Sequence, residues 1–413
     1  MRNIPIISLN SYMKMSHNKL KYILKQKGGY AVGILVLFSM LFLILEVYNG
    51  RFWQSDFTVY YKSAARLLQG DNLFQIAEDG HYVFKYSPVS ALLFIPFTII
   101  KLSISRYFYW VFLTGIIIAN FIISAILSYK INGVNNLKLN KVIILGAIVL
   151  VVHFQRELHL GQVNQILLLF YLLMIQFILK DKPWVVGALL ALSIFIKPFG
   201  LIFIPYFVVK GKFKELLYTV VFFGVIFFLP LLFYGWEMFI EQNALWYNEL
   251  IVELSHKQDL MLPANHTIFS VLARYTFIGI LLVTPLSVQI FQFVILALIG
   301  ILILWFIYLG KQKSFGEISE IALLISLIPL LSFTSQNAFG FAGLLVMIIL
   351  VYFNKLSLIE KIIAVIGFVL IGGNYYDIWG SALSGFFNDI SLVSIGTIIL
   401  MVLLFKKRLE KVV

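Results

Sequence analysis

The stretch GYAVGILVLFSMLFLILEVYNGRFWQSD, residues 29–56, decides the fold because it joins a long apolar run to a carboxylate, Asp56. Residues 29–49 are almost entirely apolar, and about 20 such residues suffice to cross a bilayer as a helix. The run is too long for the core of a signal peptide, so we predict a retained membrane span. Asp56 and the tyrosines that follow it then stand at the mouth of a membrane helix.

The composition of the whole chain is that of a polytopic membrane protein. Of its 413 residues, 61% are hydrophobic and 12% are charged, whereas soluble domains are about half apolar and about a quarter charged. The 32 Lys and Arg outnumber the 19 Asp and Glu, an excess typical of cytoplasmic loops and of contact with membrane lipids. Nucleic acid is therefore not an expected partner. Cysteine is absent, which excludes a disulfide framework and a thiolate metal site.

Pairing the apolar runs with the lysines between them predicts an all-α integral membrane protein with about twelve spans. The predicted spans are 29–49, 107–129, 141–154, 165–179, 184–197, 199–210, 215–234, 285–309, 318–335, 338–353, 361–375 and 389–405. The run Ser87–Ile100 is short and contains two prolines, so we expect it to dip into the membrane without crossing. The lysine clusters and both termini then lie on the cytoplasmic side.

This topology divides the chain into three parts. Residues 1–28 form a basic cytoplasmic or interfacial segment. Residues 29–235 form a transmembrane module whose first outer loop, 50–106, contains juxtamembrane helices and Asp56. Residues 236–413 contribute a large outer loop and a second transmembrane module.

The loops on the outer side contain nearly all of the candidate polar and charged side chains outside the cytoplasmic lysine clusters. Polar groups gathered at one membrane face, between short or Pro-broken helices, indicate a cavity that opens to the outside. The candidate residues there are Asp56, Lys85, Tyr86, Arg156, Glu157, His159, Gln162, Asn164, Lys197, Asn265, His266, Gln336, Asn337 and Asp377.

Asp56 has two interpretations. Aspartate is a favoured N-cap, and the sequence YYKSAARLL that follows is a plausible helix, so Asp56 either caps that helix or acts in catalysis.

The motif HFQRELHLGQVNQ, residues 153–165, favours function more clearly, because charge near membrane depth persists only beside protein or a water-filled cavity. If the motif is helical, Arg156 and His159 share a face and Gln162 continues it. That face offers a cation and hydrogen-bond donors to an anionic or sugar ligand.

The remaining candidates also have two interpretations each. Lys197, in the sequence FIKPFG, is either a snorkelling lysine at a helix end or a contact for a phosphate. Lys85 and Tyr86 are either interfacial anchors or substrate contacts. Asn265 and His266 are either solvated loop residues or substrate contacts. No motif for a metal, a P-loop, a dinucleotide or a nucleophile elbow is found, and we expect no cofactor.

One carboxylate near the mouth with cations and amides deeper in suits a reaction whose leaving group needs no protonation. Sugar transfer from a lipid phosphate is such a reaction. The carboxylate would deprotonate the acceptor hydroxyl as it attacks the anomeric carbon opposite the phosphate. A single displacement of this kind inverts the anomeric centre.

Four motifs in order resemble the GT-C superfamily of polytopic glycosyltransferases, most closely the polyprenol-phosphate-mannose-dependent mannosyltransferases of family 87. They are SDFTVYYKSAARLLQGDNLF, FKYSPVSALLFIPF, LGQVNQILLLFYLL and SIFIKPFGLIFIPYFVVKGKFK. The resemblance covers residues 30–235 well and the remainder by general plan.

This resemblance implies a polyprenyl-phosphate hexose donor, mannose before other sugars, and a lipid-linked or envelope glycan acceptor. It implies that Asp56 is the catalytic base and that no metal is required. The donor contacts that follow from it and from the motif face are Arg156, His159, Gln162, Asn164 and Lys197. In the later outer loop this chain has SFTSQNAFGF where relatives tend to carry histidine, which leaves Gln336 and Asn337 as candidate sugar contacts.

The main alternative from another class is a secondary transporter or a flippase of lipid-linked sugars. Transporters place ionisable residues near the bilayer midplane, often in paired halves, whereas here they lie at the outer helix ends. A ligase with a diphosphate-linked donor would need more positive charge than Arg156 and Lys197 supply. A purely structural scaffold would not need polar groups on one face.

Overall fold

The computed structural model describes residues 29–74, 79, 83–132, 138–255, 259–263, 265–310, 316–333 and 335–410. Every regular element in these residues is helical, as the sequence predicts. The basic segment 1–28 lies outside the described residues, so its cytoplasmic or interfacial placement stays a prediction.

The described chain forms α-helices joined by short turns, several of them 3₁₀. In chain order they are α1 (Gly29–Tyr48), α2 (Ser55–Gln69), α3 (Pro88–Leu92), α4 (Leu102–Asn132), α5 (Leu139–Leu160), α6 (Asn164–Ile178), α7 (Pro183–Ile196), α8 (Phe203–Val209), α9 (Phe213–Phe227), α10 (Trp236–Ser255), α11 (Ile268–Tyr275), α12 (Ile278–Leu281), α13 (Pro285–Gly310), α14 (Gly316–Leu331), α15 (Gly343–Tyr352), α16 (Leu358–Gly372), α17 (Tyr376–Asp389) and α18 (Leu392–Leu409). The 3₁₀ turns are Ile95–Ile99, Pro198–Ile202, Leu229–Leu232, Gln336–Ala342 and Phe353–Lys355.

Helix length decides which of these elements can cross a membrane. Six helical segments of the described chain are long and apolar enough, and α16 with α17, which meet at a bend of 92°, would make a seventh. Helices such as α6, α7 and α14 are apolar but have 14 to 16 residues, fewer than a straight crossing needs. The protein is thus multi-pass, and the count of twelve stays a prediction.

Burial separates the helices into central and peripheral ones. In α15, Gly343–Leu350 are all buried, and this helix packs against α4 and α5. In α13 most apolar side chains face outward, with Phe293 72% exposed and Ile301 61% exposed. A helix with so much exposed apolar surface fits a lipid environment. Because α15 and α4 come from opposite sides of residue 235, the two predicted modules share one core.

The predicted dipping run forms no helix of spanning length. It consists of the five-residue helix α3 and a 3₁₀ turn. Ser87 caps α3, since its Oγ accepts a hydrogen bond from the backbone of Ser90 at 3.3 Å. Both hydroxyls donate to the carbonyl oxygen of Phe195, each at 2.8 Å. These bonds fix the start of α3 to the end of α7, and they bring Tyr86 beside Lys197.

The turn between α5 and α6 packs closely against α2. Gly161 ends α5 in the left-handed conformation, with φ of 70°, and its N–H donates to the carbonyl oxygen of Glu157 at 2.8 Å. A Cβ at Gly161 would lie 2.7 Å from the Cβ of Phe57. Only glycine therefore allows this turn and the docking of α2 together.

Replacing Gly161 with alanine is expected to destabilise the protein and to separate Asp56 from Gln162. The left-handed conformation costs an alanine about 1–2 kcal/mol, and the displacement of Phe57 adds an overpacking cost of about 1–3 kcal/mol. Gly50→Ala is the matched control, because Gly50 also has positive φ, 67°, but has open space around it. Thermal unfolding in detergent measures both variants. Equal losses of stability would contradict the close packing at Gly161.

Candidate active site

Asp56 lies in the first turn of α2, and its side chain is half-buried. The N-cap position of this helix belongs to Gln54, which makes no side-chain capping bond. The carboxylate of Asp56 instead faces the turn after α5, where Oδ2 accepts a hydrogen bond from Nε2 of Gln162 at 2.6 Å. This placement differs from that of a capping aspartate.

The surroundings of Asp56 pull its pKa in both directions. Burial raises the pKa above its ordinary value of 3.8, since the charged form loses its water. The positive charges of Lys197 and Arg156 and the hydrogen bond from Gln162 lower it, but burial has the larger effect. A carboxylate with a raised pKa is a stronger base than an exposed aspartate.

Gln162 connects Asp56 to the other polar side chains. While its Nε2 donates to Asp56, its Oε1 accepts from the hydroxyl of Tyr60 at 2.7 Å and from the ammonium of Lys197 at 3.4 Å. The hydroxyl of Tyr86 lies 3.4 Å from the same oxygen and 3.1 Å from that of Tyr60. The orientation of the Gln162 amide is therefore fixed by its partners on both sides.

Lys197 lies in extended backbone between α7 and the following 3₁₀ turn. Its ammonium donates to Oδ1 of Asn164 at 2.8 Å and lies 5.7 Å from the ring centroid of Tyr86. Within the described residues no carboxylate lies within ion-pair distance of this ammonium. Lys197 is thus an oriented cation without a partner carboxylate in that part of the chain, and it turns into the polar cluster rather than out to an interface.

Glu157 is a fully buried carboxylate behind this cluster. Its Oε1 accepts from Nδ2 of Asn164 at 2.6 Å and also from Nδ2 of Asn337. Its Oε2 has no hydrogen-bond partner among the described residues. A chain of contacts therefore runs from Lys197 through Asn164 and Glu157 to Asn337, which joins the turn after α14 to the site.

His153 holds this last turn in place. Its Nδ1 lies 3.0 Å from the carbonyl oxygen of Gln336, and its Nε2 lies 2.9 Å from that of Ile371. Gln336 thus contributes a backbone contact to His153, while Asn337 contributes its side chain to the site.

Arg156 and His159, which were predicted to share a face, have different partners in the structure. Arg156 is exposed and makes no hydrogen bond in the described chain, and its charge acts on Asp56. His159 turns the other way, where Nδ1 lies 2.5 Å from Oε2 of Glu46 in α1. The predicted stripe also ends at Gly161, because that residue terminates α5 before Gln162.

Asn265 and His266 are buried, which differs from the solvated loop that the sequence suggested. His266 Nδ1 lies 2.9 Å from Oγ of Ser391 at the start of α18, and Asn265 Oδ1 accepts from Oγ1 of Thr267 at 2.7 Å. Burial lowers the pKa of His266 to about 4, so its imidazole is neutral near pH 7. These residues connect the large outer loop to α18.

Lys85, the other candidate of the first outer loop, is exposed.

Tyr60 is the site residue that sequence reasoning did not select, whereas Glu157 was a candidate to which it gave no role. Tyr60 follows Asp56 by one helical turn, so helical periodicity in α2 was a usable signal. Glu157 was visible in the motif, but only the packing of Asn337 against α5 makes it part of the site. The described residues contain no group of three or more His, Cys, Asp or Glu that could hold a metal ion.

The arrangement combines a base with cations at fixed positions. Asp56 can accept a proton, while Lys197 and Arg156 can stabilise a negative charge that develops nearby. The fold is that of an all-helical, multi-pass membrane protein, and the family comparison shows that the chain is a membrane glycosyltransferase of GT-C-like type. The chain belongs to glycosyltransferase family 87, whose family model matches residues 84–333, more than half of the chain. The family resemblance of the sequence motifs is thereby confirmed.

The matched residues include part of the site. Arg156, Gln162, Asn164 and Lys197 lie within 84–333, whereas Asp56 lies before that range. No curated protein and no solved structure matches the chain.

Proposed function

We propose that the protein transfers a hexose, with mannose preferred, from a polyprenyl-phosphate donor to a lipid-linked or envelope glycan acceptor. The reaction takes place at the extracytoplasmic face of the cell membrane and inverts the anomeric centre, without a metal ion. The lysine distribution supports this side, since lysine-rich loops are usually cytoplasmic and the candidate site residues lie on the other set of loops.

The observation that carries the proposal is the two-sided contact of Gln162. Its amide nitrogen binds the carboxylate of Asp56, and its amide oxygen accepts from Lys197. The proposed base and Lys197, which has no partner carboxylate among the described residues, are therefore held one amide group apart. An in-line displacement needs a base and a cation arranged in this way. The acceptor hydroxyl attacks the anomeric carbon on one side, beside the base, and the phosphate leaves on the other side, beside the cation.

The chain's own residues account for each step. Asp56 takes the proton of the acceptor hydroxyl as the acceptor oxygen forms its bond to the anomeric carbon. The bond from that carbon to the phosphate oxygen breaks, and the phosphate keeps the electron pair. Lys197 and Arg156 stabilise the charge on the leaving phosphate, so the reaction needs no acid to protonate it.

Sugar transfer in proteoliposomes tests the proposal. Purified full-length protein is given radiolabelled polyprenyl-phosphate mannose, or the glucose or galactose equivalent, together with a lipid extract of the native envelope. We expect label in the acceptor fraction, most of it from the mannose donor. Movement of donor across the bilayer without transfer from any of the three would refute the enzyme and favour a flippase.

The raised pKa of Asp56 gives the transfer reaction a predictable pH dependence. Only the ionised carboxylate is a base, so kcat/KM should fall as the pH drops through a pKa above the ordinary 3.8. Arg156→Gln removes a charge that lowers this pKa, and we expect the acid limb of the profile to move to higher pH. Arg51→Gln is the control, because Arg51 is exposed and has no such effect on Asp56. An unmoved limb in Arg156→Gln would separate Arg156 from the base.

A further inference from the structure

A cavity lies beside α2, lined by residues other than those of the cluster around Gln162. Its volume is about 640 Å³, including the part open to solvent. The lining residues are Trp53, Ser55, Thr58, Val59, Lys62, Asp79 and Arg106. Ser55, Thr58 and Lys62 are spaced by three and four residues, so they share one face of α2. Asp56 lies on a neighbouring face of the same helix.

Arg106, in the first turns of α4, is held at this cavity with most of its donors unused. Its Nη2 donates to Oγ1 of Thr58 at 2.9 Å, and this is its one hydrogen bond within the described residues. Its Nε is buried and has no partner there. A guanidinium carries five N–H donors in a planar fork that matches the two oxygens of a carboxylate or phosphate. The fixed, unsatisfied fork points to an oxyanion ligand.

The charges around the cavity favour the same kind of ligand. Asp79 is its one carboxylate and already pairs with Lys62 at 2.9 Å and with Arg66 at 2.5 Å. Its negative charge is thus shared by two cations and leaves that of Arg106 uncompensated among the described residues. The ammonium of Lys62 remains partly exposed, with 41% of the side chain accessible.

Trp53 adds an apolar surface at the rim. Its indole is 59% exposed, and its N–H is fixed by a hydrogen bond to the carbonyl oxygen of Gly50 at 3.0 Å. An indole held in this way can pack against the apolar face of a sugar ring, because it combines a large rigid area with little conformational entropy to lose.

We propose that this cavity binds the anionic group of the acceptor, a phosphate or carboxylate on a membrane-anchored glycolipid. Arg106 and Lys62 bind the oxyanion, and Trp53 packs on the adjoining sugar. Since a helix with its side chains is about 10–12 Å across, the acceptor reaches around the start of α2 to Asp56. The reacting hydroxyl is then one or two sugar units from the charged group. The identity of the ligand as the acceptor rests on the proposed function, whereas the binding of an oxyanion at this cavity does not.

Chemical footprinting of lysines tests the site without an activity assay. Full-length protein in nanodiscs of neutral lipid is treated with an amine-reactive reagent, and the modification of Lys62 is measured by mass spectrometry. The probes are phosphatidylglycerol as the anionic lipid, an uncharged glucosyl diacylglycerol, and inorganic phosphate. Exposed Lys101, which does not line the cavity, is the internal reference.

We expect phosphatidylglycerol to protect Lys62 and not Lys101, and the neutral glycolipid to give no protection. In Arg106→Gln the lipid concentration needed for half-maximal protection should rise by at least about tenfold, because the variant loses charge-assisted hydrogen bonds to the oxyanion. Lys101→Gln, in which the protection of Lys62 is read without the Lys101 reference, should match the wild type. Arg106→Lys, which keeps the charge, should fall between the two and guards against misfolding of the glutamine variant.

Three results would overturn the proposal: no protection of Lys62, equal protection in Arg106→Gln, or protection by inorganic phosphate and not by the anionic lipid. The transfer assay separates this site from the proposed function. Protection of Lys62 in a protein that transfers no sugar would refute the transferase and leave the oxyanion site intact. Sugar transfer by a protein in which Lys62 is not protected would refute the oxyanion site and leave the proposed transferase intact.

Discussion

Replacing Asp56 with asparagine should reduce sugar transfer by about 10²–10⁴-fold, the usual contribution of a general base. The amide has almost the same size as the carboxylate, and its oxygen can still accept from Nε2 of Gln162. The packing of α2 against the turn at Gly161 should therefore persist. What is lost is the ability to take the proton from the acceptor hydroxyl. Initial rates in proteoliposomes, at saturating donor and acceptor, measure the effect on kcat.

The matched control is Asp71→Asn, which removes an exposed carboxylate just after α2. It should transfer at the wild-type rate. Donor binding and thermal unfolding are measured for both variants, because a base contributes to the chemical step and little to the affinity for the donor. If Asp56→Asn keeps a near-normal rate, then Asp56 is a structural residue and the base is a different group.

The sequence could predict the helices and the general place of the site, because both follow from local patterns. Apolar runs and the lysines between them locate the long helices, and the short, Pro-containing run at 87–100 forms no helix of spanning length, as its prolines indicate. The sequence also placed Asp56 and Gln162 in the same set of outer loops, although it did not predict the hydrogen bond between them. The order of the four motifs along the chain indicated the family, which the family match confirms.

The partners of individual side chains could not be predicted, because they depend on how distant helices pack. Nothing in the sequence near His159 indicates that its partner is Glu46, which is 113 residues away. The buried contact between Glu157 and Asn337 spans 180 residues. The interpretation of His266 as a loop residue in water was wrong for the same reason, since α18 covers it.

Replacing Lys197 with glutamine should lower kcat/KM for the donor by about 10²–10³-fold, the loss typical of one group that stabilises charge in the transition state. Glutamine can still hydrogen-bond to Asn164, so the chain of contacts toward Glu157 is kept while the charge is removed. Lys197→Arg retains the charge and should recover part of the rate. Lys180→Gln, at an exposed position after α6, should leave the rate unchanged.

Inhibition by the product distinguishes the role of Lys197 as a phosphate contact from the role of Asp56 as the base. Polyprenyl phosphate carries the group that Lys197 is expected to bind, and it should inhibit Lys197→Gln at least tenfold more weakly than the wild type, since a charge-assisted contact is worth about 1.5–3 kcal/mol. Asp56→Asn should be inhibited as strongly as the wild type, or more strongly, because a negative charge near the phosphate has been removed. Loss of both activity and product affinity in both variants would contradict these roles. Asp56, Gln162 and Lys197 would then form a structural cluster, and neither Asp56 as base nor Lys197 as phosphate contact would be supported.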